Sequence, residues 1–234
     1  EHRVIRRSVI YSNCPGGKSE AIGDYYCHNL IAGNNRHPCS GHDQTWDGSN
    51  RGGMQGWRNS NAHPSAFVNN VVMGHNDHEI QCRVYVGNDG WIDGNLYYNS
   101  RALRWQRRTE TGLDTTGNWT TWKGWLSSAN VQGADAHSIQ GQGPQLKNMP
   151  ERPATGGYVA PNHSQFDFRP QANSRVLGAG VNLAKATNAG SSSTTLTVDK
   201  AYWFHDGFGI AQPDHIVVGG TTVQIDSINY DTKT

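Results

Sequence analysis

One short pattern recurs along the first hundred residues and limits what this chain can fold into. YYCHNLIAGNN (Tyr25–Asn35) is repeated in kind by SAFVNNVVMGHN (Ser65–Asn76), anticipated by HRVIRRSVIYSN (His2–Asn13) and echoed by GWIDGNLYYNS (Gly90–Ser100). Each copy places apolar residues on both sides of a small polar residue and then runs into Gly, Ser, His or Asn. Aligned on that polar residue, Ser8, Asn29, Asn70 and Asn95 are followed by Val9-Ile10, Leu30-Ile31, Val71-Val72 and Leu96-Tyr97. The steps are 21, 41 and 25 residues, and 41 is about twice 21. The pattern therefore predicts a further coil hidden near Trp46–Trp57, inside the Gly-rich run GSNRGGMQGW.

A strand-like unit that returns every 20–25 residues is the mark of a solenoid. Leucine-rich repeats share the period, but their Leu lattice is absent. A parallel β-helix fits: short strands, one turn of the solenoid per repeat, and Asn stacked on Asn at a bend, where each amide hydrogen-bonds the next. Composition agrees. Only 35% of residues are hydrophobic and 28 are Gly, which suits a thin, elongated core in which each coil meets only its neighbours. Eight Trp and nine Tyr spread along the chain argue against disorder. The competing architecture is a β-sandwich built from four unrelated strands.

The formal net charge of +1 gives no polyelectrolyte signature, so nucleic acid is not an expected partner. No apolar run approaches the ~20 residues of a membrane span. The chain begins at Glu1 in mid-pattern, as a mature form or a fragment would. Four cysteines, Cys14, Cys27, Cys39 and Cys82, in a Gly/Asn/Thr-rich chain point to secretion and up to two disulfides, with buried thiols as the alternative. Close C-x-x-C pairs that would favour zinc are absent. Asn118-Trp-Thr and Asn162-His-Ser are acceptor sequons if the source glycosylates asparagine.

After Ser100 the repeat fades into WTTWKGWLSSANVQGADAHSIQGQGPQL and FDFRPQANSRVLGAGVNL. Gly133, Asp135, Ala136, His137, Ser138, Asp167, Phe168, Arg169, Ser174, Ala179 and Gly180 resemble the C-terminal end of secreted right-handed parallel β-helix (pectate-lyase-like) proteins. The resemblance implies an all-β, right-handed parallel β-helix over residues 1–188, closed by the Trp119, Trp122 and Trp125 segment. Residues 189–193 read as a small-residue linker. TTLTVDKAYWF, HIVVGG and TTVQIDSINYDTKT then predict a small antiparallel β-meander over 189–234, similar to the hairpin module often appended to such proteins.

Three groups of residues carry candidate chemistry. In GGKSEAIGDYYCHNLIAGNNRHP, a 21-residue period would set Lys18 and Arg36-His37 on adjacent rungs, about 5 Å apart. Such cations could abstract the C5 proton of a uronate and neutralise its carboxylate during β-elimination. Lys18-Ser19 and Arg36-His37 resemble the K-S and R-H-G segments of the chondroitinase-B/alginate-lyase group, with Pro38 in place of Gly and a shorter spacing. That resemblance implies Ca2+, but the carboxylates that would hold it have no counterpart that can be placed here. The plainer reading is a solvated Lys on a turn and an Arg on a loop.

In GHNDHEIQCR, His75, His78 and Glu79 could ligate a divalent metal, against the plainer reading of solvated loop histidines. In RALRWQRR, Arg101, Arg104, Arg107 and Arg108 surround Trp105. Guanidinium forks bind carboxylate or sulfate, and an indole face stacks on a sugar, so these five are the expected substrate-binding residues. A charged edge strand is the alternative. Together the residues predict a secreted, carbohydrate-active β-helix, a lyase acting on an acidic polysaccharide. The rivals are a non-catalytic fibre subunit, adhesin or carbohydrate-binding scaffold capable of end-to-end self-association, and a glycoside hydrolase drawing on Asp43, Asp47, Asp77 and Glu79.

Overall fold

The computed structural model describes residues 3–11, 17–18, 24–32, 52–58, 65–73, 78–84, 90–98, 103–107, 115–117, 119–148, 166–188 and 193–234. Strands come in threes. β1 (Arg3–Arg6), β2 (Val9–Tyr11) and β3 (Gly17–Lys18) are followed by β4 (Asp24–Cys27), β5 (Leu30–Ala32) and β6 (Gly52–Arg58). Then come β7 (Ala66–Val68), β8 (Val71–Met73) and β9 (His78–Val84), and β10 (Trp91–Asp93), β11 (Leu96–Tyr98) and β12 (Leu103–Arg107). β13 (Thr115–Gly117), the helix α1 (Trp119–Ser128), β14 (Ile139–Gln140), β15 (Leu146–Asn148) and β16 (Asp167–Pro170) complete the first unit, which extends to Val181.

Each member of a triplet joins a different sheet. The first sheet has the order β1-β4-β7-β10 and the second β14-β11-β8-β5-β2, and both are wholly parallel. The third, β13-β12-β9-β6-β3, is parallel except where β13 returns against β12. The register matches the alignment read from the sequence: Val9, Leu30, Val71 and Leu96 pair in one line, and Ile10, Ile31, Val72 and Tyr97 in the next. The hidden coil does not exist. β4 pairs directly with β7 and β5 with β8, so the 41-residue step from Asn29 to Asn70 is one long turn. The Gly-rich run supplies β6, the third strand of that same turn.

Strand alternation explains which residues the core receives. Ile5, Tyr26, Phe67 and Ile92 stack from the first sheet, and Ile10, Ile31, Val72 and Tyr97 from the second. The intervening residues of the second sheet are apolar too, because Leu30, Ala32 and Met73 are covered on the outside by Leu146 of β15 and Phe168 of β16. A strand covered on both faces reads as an unbroken apolar run, which is why LIA and VVM show no alternation.

α1 ends the core. Trp122 and Leu126 are fully buried in the same cluster as Tyr97, and the Trp119 ring tilts against Tyr97 at 5.5 Å. The helix stops where Asn130 takes a left-handed φ of 54°. Val131 N–H then donates to Leu126 O and Asn130 N–H to Ser127 O, the bond pair of a Schellman cap, with Val131 and Leu126 together in the core.

The second unit, Asn182–Thr234, holds one hairpin: β17 (His215–Val218) and β18 (Thr221–Gln224), joined through Gly219-Gly220 with φ of 57° and 84°. Two left-handed residues match the twist that a two-residue hairpin turn needs. The division of the chain falls between Val181 and Asn182, where the sequence suggests 188/189. TTLTVDKAYWF forms no third meander strand. It contributes an isolated bridge, Ala186 with Val198, and a 3-10 turn at Ala201–Trp203 that buries Trp203. Among the described residues no helix is long and apolar enough to cross a membrane.

Candidate functional site

The bend between the first two sheets is built from a two-residue unit. Arg7, His28, Asn69 and Gly94 all have positive φ, between 50° and 66°, and each precedes the aligned polar residue. That left-handed step turns the chain from one sheet to the next and aims the following side chain inward. Asn29 Nδ2 donates to Asn70 Oδ1 at 3.1 Å, and Asn70 Nδ2 to Asn95 Oδ1 at 3.2 Å. The same amides bond main chain: Ser8 N–H to Asn29 Oδ1, Asn29 N–H to Asn70 Oδ1, Asn70 N–H to Asn95 Oδ1, and Asn29, Asn70 and Asn95 Nδ2 to the carbonyls of Ile5, Tyr26 and Phe67. Buried amides satisfied in this way are structural.

The ladder ends on an acid. Asp135, fully buried, accepts from Trp122 Nε1 at 2.7 Å, Tyr97 Oη at 3.1 Å, Asn95 Nδ2 at 3.3 Å and Ser138 Oγ. Burial pushes its carboxyl above the ordinary aspartate range, and those four donors pull against the rise. One rung away Asp93, also buried, accepts the His137 and Gly94 main-chain N–H groups and lies 2.7 Å from His137 Nδ1. A β-carbon on Gly133 would fall 2.6 Å from Asp93 Cβ, and one on Gly180 3.0 Å from the Asn69 amide. Ser174 Oγ donates to Pro144 O, and Arg169 forks onto Asp167 and holds its carboxyl down to about 2. Asp93 and Asp135 thus tie the segment around His137 and Ser138 to β10, β11 and α1, whereas Asp167 pairs within its own strand.

The candidate chemistry gathers on the third sheet. Lys18 is in β3, His78 and Glu79 in β9, and Arg104, Trp105 and Arg107 in β12. Arg36, His37, His75, Arg101 and Arg108 lie outside the described residues. The strand beside β3 is β6, and its register seats Gln55 next to Lys18. The expected adjacency of Lys18 with Arg36 and His37 falls on residues outside the described ones. β6 opposes Ile80 with Met54 and Cys82 with Trp57, so Gln55 and Gly56 together face Gln81, a bulge of one extra residue. Gln81 in turn pairs with Arg104. Lys18 and Arg104 therefore end one line across four strands, about 14 Å long at the usual strand spacing, with the bulge between them.

The next lines are Trp57, Cys82, Trp105 and then Arg58, Arg83, Gln106. Arg107 lies two lines beyond Trp105, beside Val84. Arg58 is missed by motif reading, since it stands alone in sequence, and only the register brings it beside Arg83. Among the described residues no group of three His, Cys, Asp or Glu is placed to hold a metal. Cys27 is buried in β4. Cys14 and Cys39 lie outside the described residues, and Cys82 is described by its backbone alone.

Compared with known proteins, the chain matches no family model, no curated protein and no solved structure.

Proposed function

We propose that this chain is an extracellular, right-handed parallel β-helix whose third sheet holds an acidic, uronate-containing polysaccharide. The solenoid reading is supported by strand triplets that visit three sheets in turn, and the hand by the strong preference of parallel crossovers for right-handed connection. The observation that carries the binding reading is the register of Arg58 beside Arg83, flanked by the line from Lys18 to Arg104. Like charges on neighbouring strands repel, and an anion lying across them reverses that cost. Strands spaced about 5 Å apart give an extended polymer lying across them a row of repeated contact positions. Guanidinium suits each as a planar fork.

Cleavage by β-elimination is the activity this surface fits, with Lys18 taking the C5 proton and arginine neutralising the carboxylate. A binding scaffold without catalysis is the second reading. It is favoured by the amides Gln55, Gln81 and Gln106 that share these lines with the cations, since an amide binds hydroxyls but moves no proton. Incubation with alginate, pectate, chondroitin and heparin separates the two. Ultraviolet absorbance of unsaturated chain ends is expected for the lyase. Retention of the polymer without new ends assigns the scaffold. Neither retention nor new ends with any of the four overturns the proposal.

A further inference from the structure

The second unit carries an aromatic surface unrelated to the third sheet. Gly207, Phe208 and Gly209 have φ of 85°, 49° and 73°. Glycine enters this region freely, whereas in Phe208 the β-carbon crowds the following carbonyl oxygen, so the backbone conformation is unfavourable for that residue. Phe208 is also 65% exposed, so core burial does not explain why it stands there. A strained residue that shows a large apolar ring to solvent is the kind of outlier from which function is inferred.

The ring is held with care. Asp206 Oδ1 accepts Phe208 N–H at 3.0 Å, and its Oδ2 accepts Ile228 N–H at 3.2 Å, so one carboxylate fixes both the loop and the segment bearing Tyr230. Tyr230 Oη donates to Phe204 O at 3.0 Å, and His205 Nδ1 accepts Gly207 N–H at 2.9 Å. His205 lies 5.8 Å from Phe208 at 22° between planes, and Phe208 6.4 Å from Tyr230 at 19°. The three rings are thus anchored through their own hydrogen bonds or their loop and stacked, with Phe208 paired to both others and the most exposed, the His205 side chain being only 20% exposed.

We propose that Phe208, backed by His205 and Tyr230, forms a binding platform for an uncharged pyranose unit of a polysaccharide. The axial C–H groups of a pyranose form a flat, weakly positive face that complements the negative face of an aromatic ring. Pre-set rings lose little freedom on binding. Asp206 at the edge accepts hydrogen bonds from sugar hydroxyls and repels a carboxylated sugar. The unit as a whole, with five aspartates and three lysines from Asn182 to Thr234, has the same sense. Ligand, residues and unit all differ from those of the proposed acidic-polymer surface.

The test is affinity electrophoresis of the full chain through gels containing neutral β-glucan, galactomannan, arabinoxylan or, as a separate arm, alginate. Retardation by at least one neutral polymer is expected, and Phe208→Gly should abolish it. That variant removes the ring and relieves the positive φ, so its melting temperature should not fall and lost binding cannot be put down to misfolding. Phe208→Tyr should keep binding. No retardation by any neutral polymer, or retardation unchanged in Phe208→Gly, overturns the platform. Retention in alginate reports on the third sheet alone and should be the same in both proteins, so failure of one proposal leaves the other readable.

Discussion

Asn29 and Asn70 are 41 residues apart in sequence and joined amide to amide, with Asn29 Nδ2 donating to Asn70 Oδ1 at 3.1 Å. Asn70 also accepts Asn29 N–H and donates to Tyr26 O. Asn70→Ala would leave a buried main-chain donor and a buried carbonyl without these partners. Each orphan typically costs ~1–3 kcal/mol, so urea unfolding should show a loss within or above that range. An unchanged midpoint would mean the bend does not depend on its amides.

Such stacking explains what was readable in the sequence. A ladder requires the same residue type at the same place in every turn, so Asn29, Asn70 and Asn95 announce the rungs, and the apolar pair after each follows in register. Turn length is not constrained this way. Residues inserted between the second and third sheets leave the bend untouched, and for that reason a 41-residue turn imitates two short ones. Lys18 consequently gains Gln55 as its neighbour, and Arg58 enters the candidate surface although no motif marks it. The helix was hidden differently: Trp119, Trp122 and Trp125 have helical spacing but lie in a segment whose closing role was the stronger signal.

Gly94 and Gly141 form a natural control pair. Both have positive φ, 66° and 75°. A β-carbon on Gly94 would lie 2.3 Å from Asn69 Oδ1, whereas one on Gly141 meets nothing within 4 Å. Gly141→Ala should therefore cost only the left-handed penalty of roughly 1–2 kcal/mol. Gly94→Ala adds overpacking of about 1–3 kcal/mol, because Asn69 is itself fixed by Val181 N–H and O at 2.7 and 2.9 Å. Thermal melts of the two variants measure the difference, and equal shifts would show that Asn69 yields.

Asp135 gives a pH dependence with a definite sign. Its carboxyl is raised by burial, so the folded value lies above the unfolded one, about 3.9. The folded state then binds the proton more tightly. The contribution of Asp135 to stability is fully present below the unfolded value and is lost as pH rises through the folded one. Trp122→Phe removes a donor that favours the carboxylate, at ~1.5–3 kcal/mol for a bond to a charged group. The penalty should be greatest at neutral pH and shrink on acidification as the carboxyl protonates. Denaturant midpoints of both proteins at several pH values test this, and a pH-independent difference would mean that the indole bond does not discriminate between the two forms.

The last prediction separates two positions on one line of the third sheet. Lys18 and Arg104 end that line with Gln55 and Gln81 between them. If the surface holds an acidic polymer, Arg104→Ala should weaken binding and reduce its sensitivity to salt, because a lost carboxylate contact removes part of the screened attraction. Arg58→Ala should act in the same direction. Lys18→Ala should behave otherwise if Lys18 is the base: turnover falls with binding nearly unchanged, because proton transfer counts only in the transition state. Paired measurements of polymer retention and of unsaturated ends would show the split. Equal losses of binding in all three variants, with no change in turnover per bound chain, would make Lys18 one more contact and rule it out as the base.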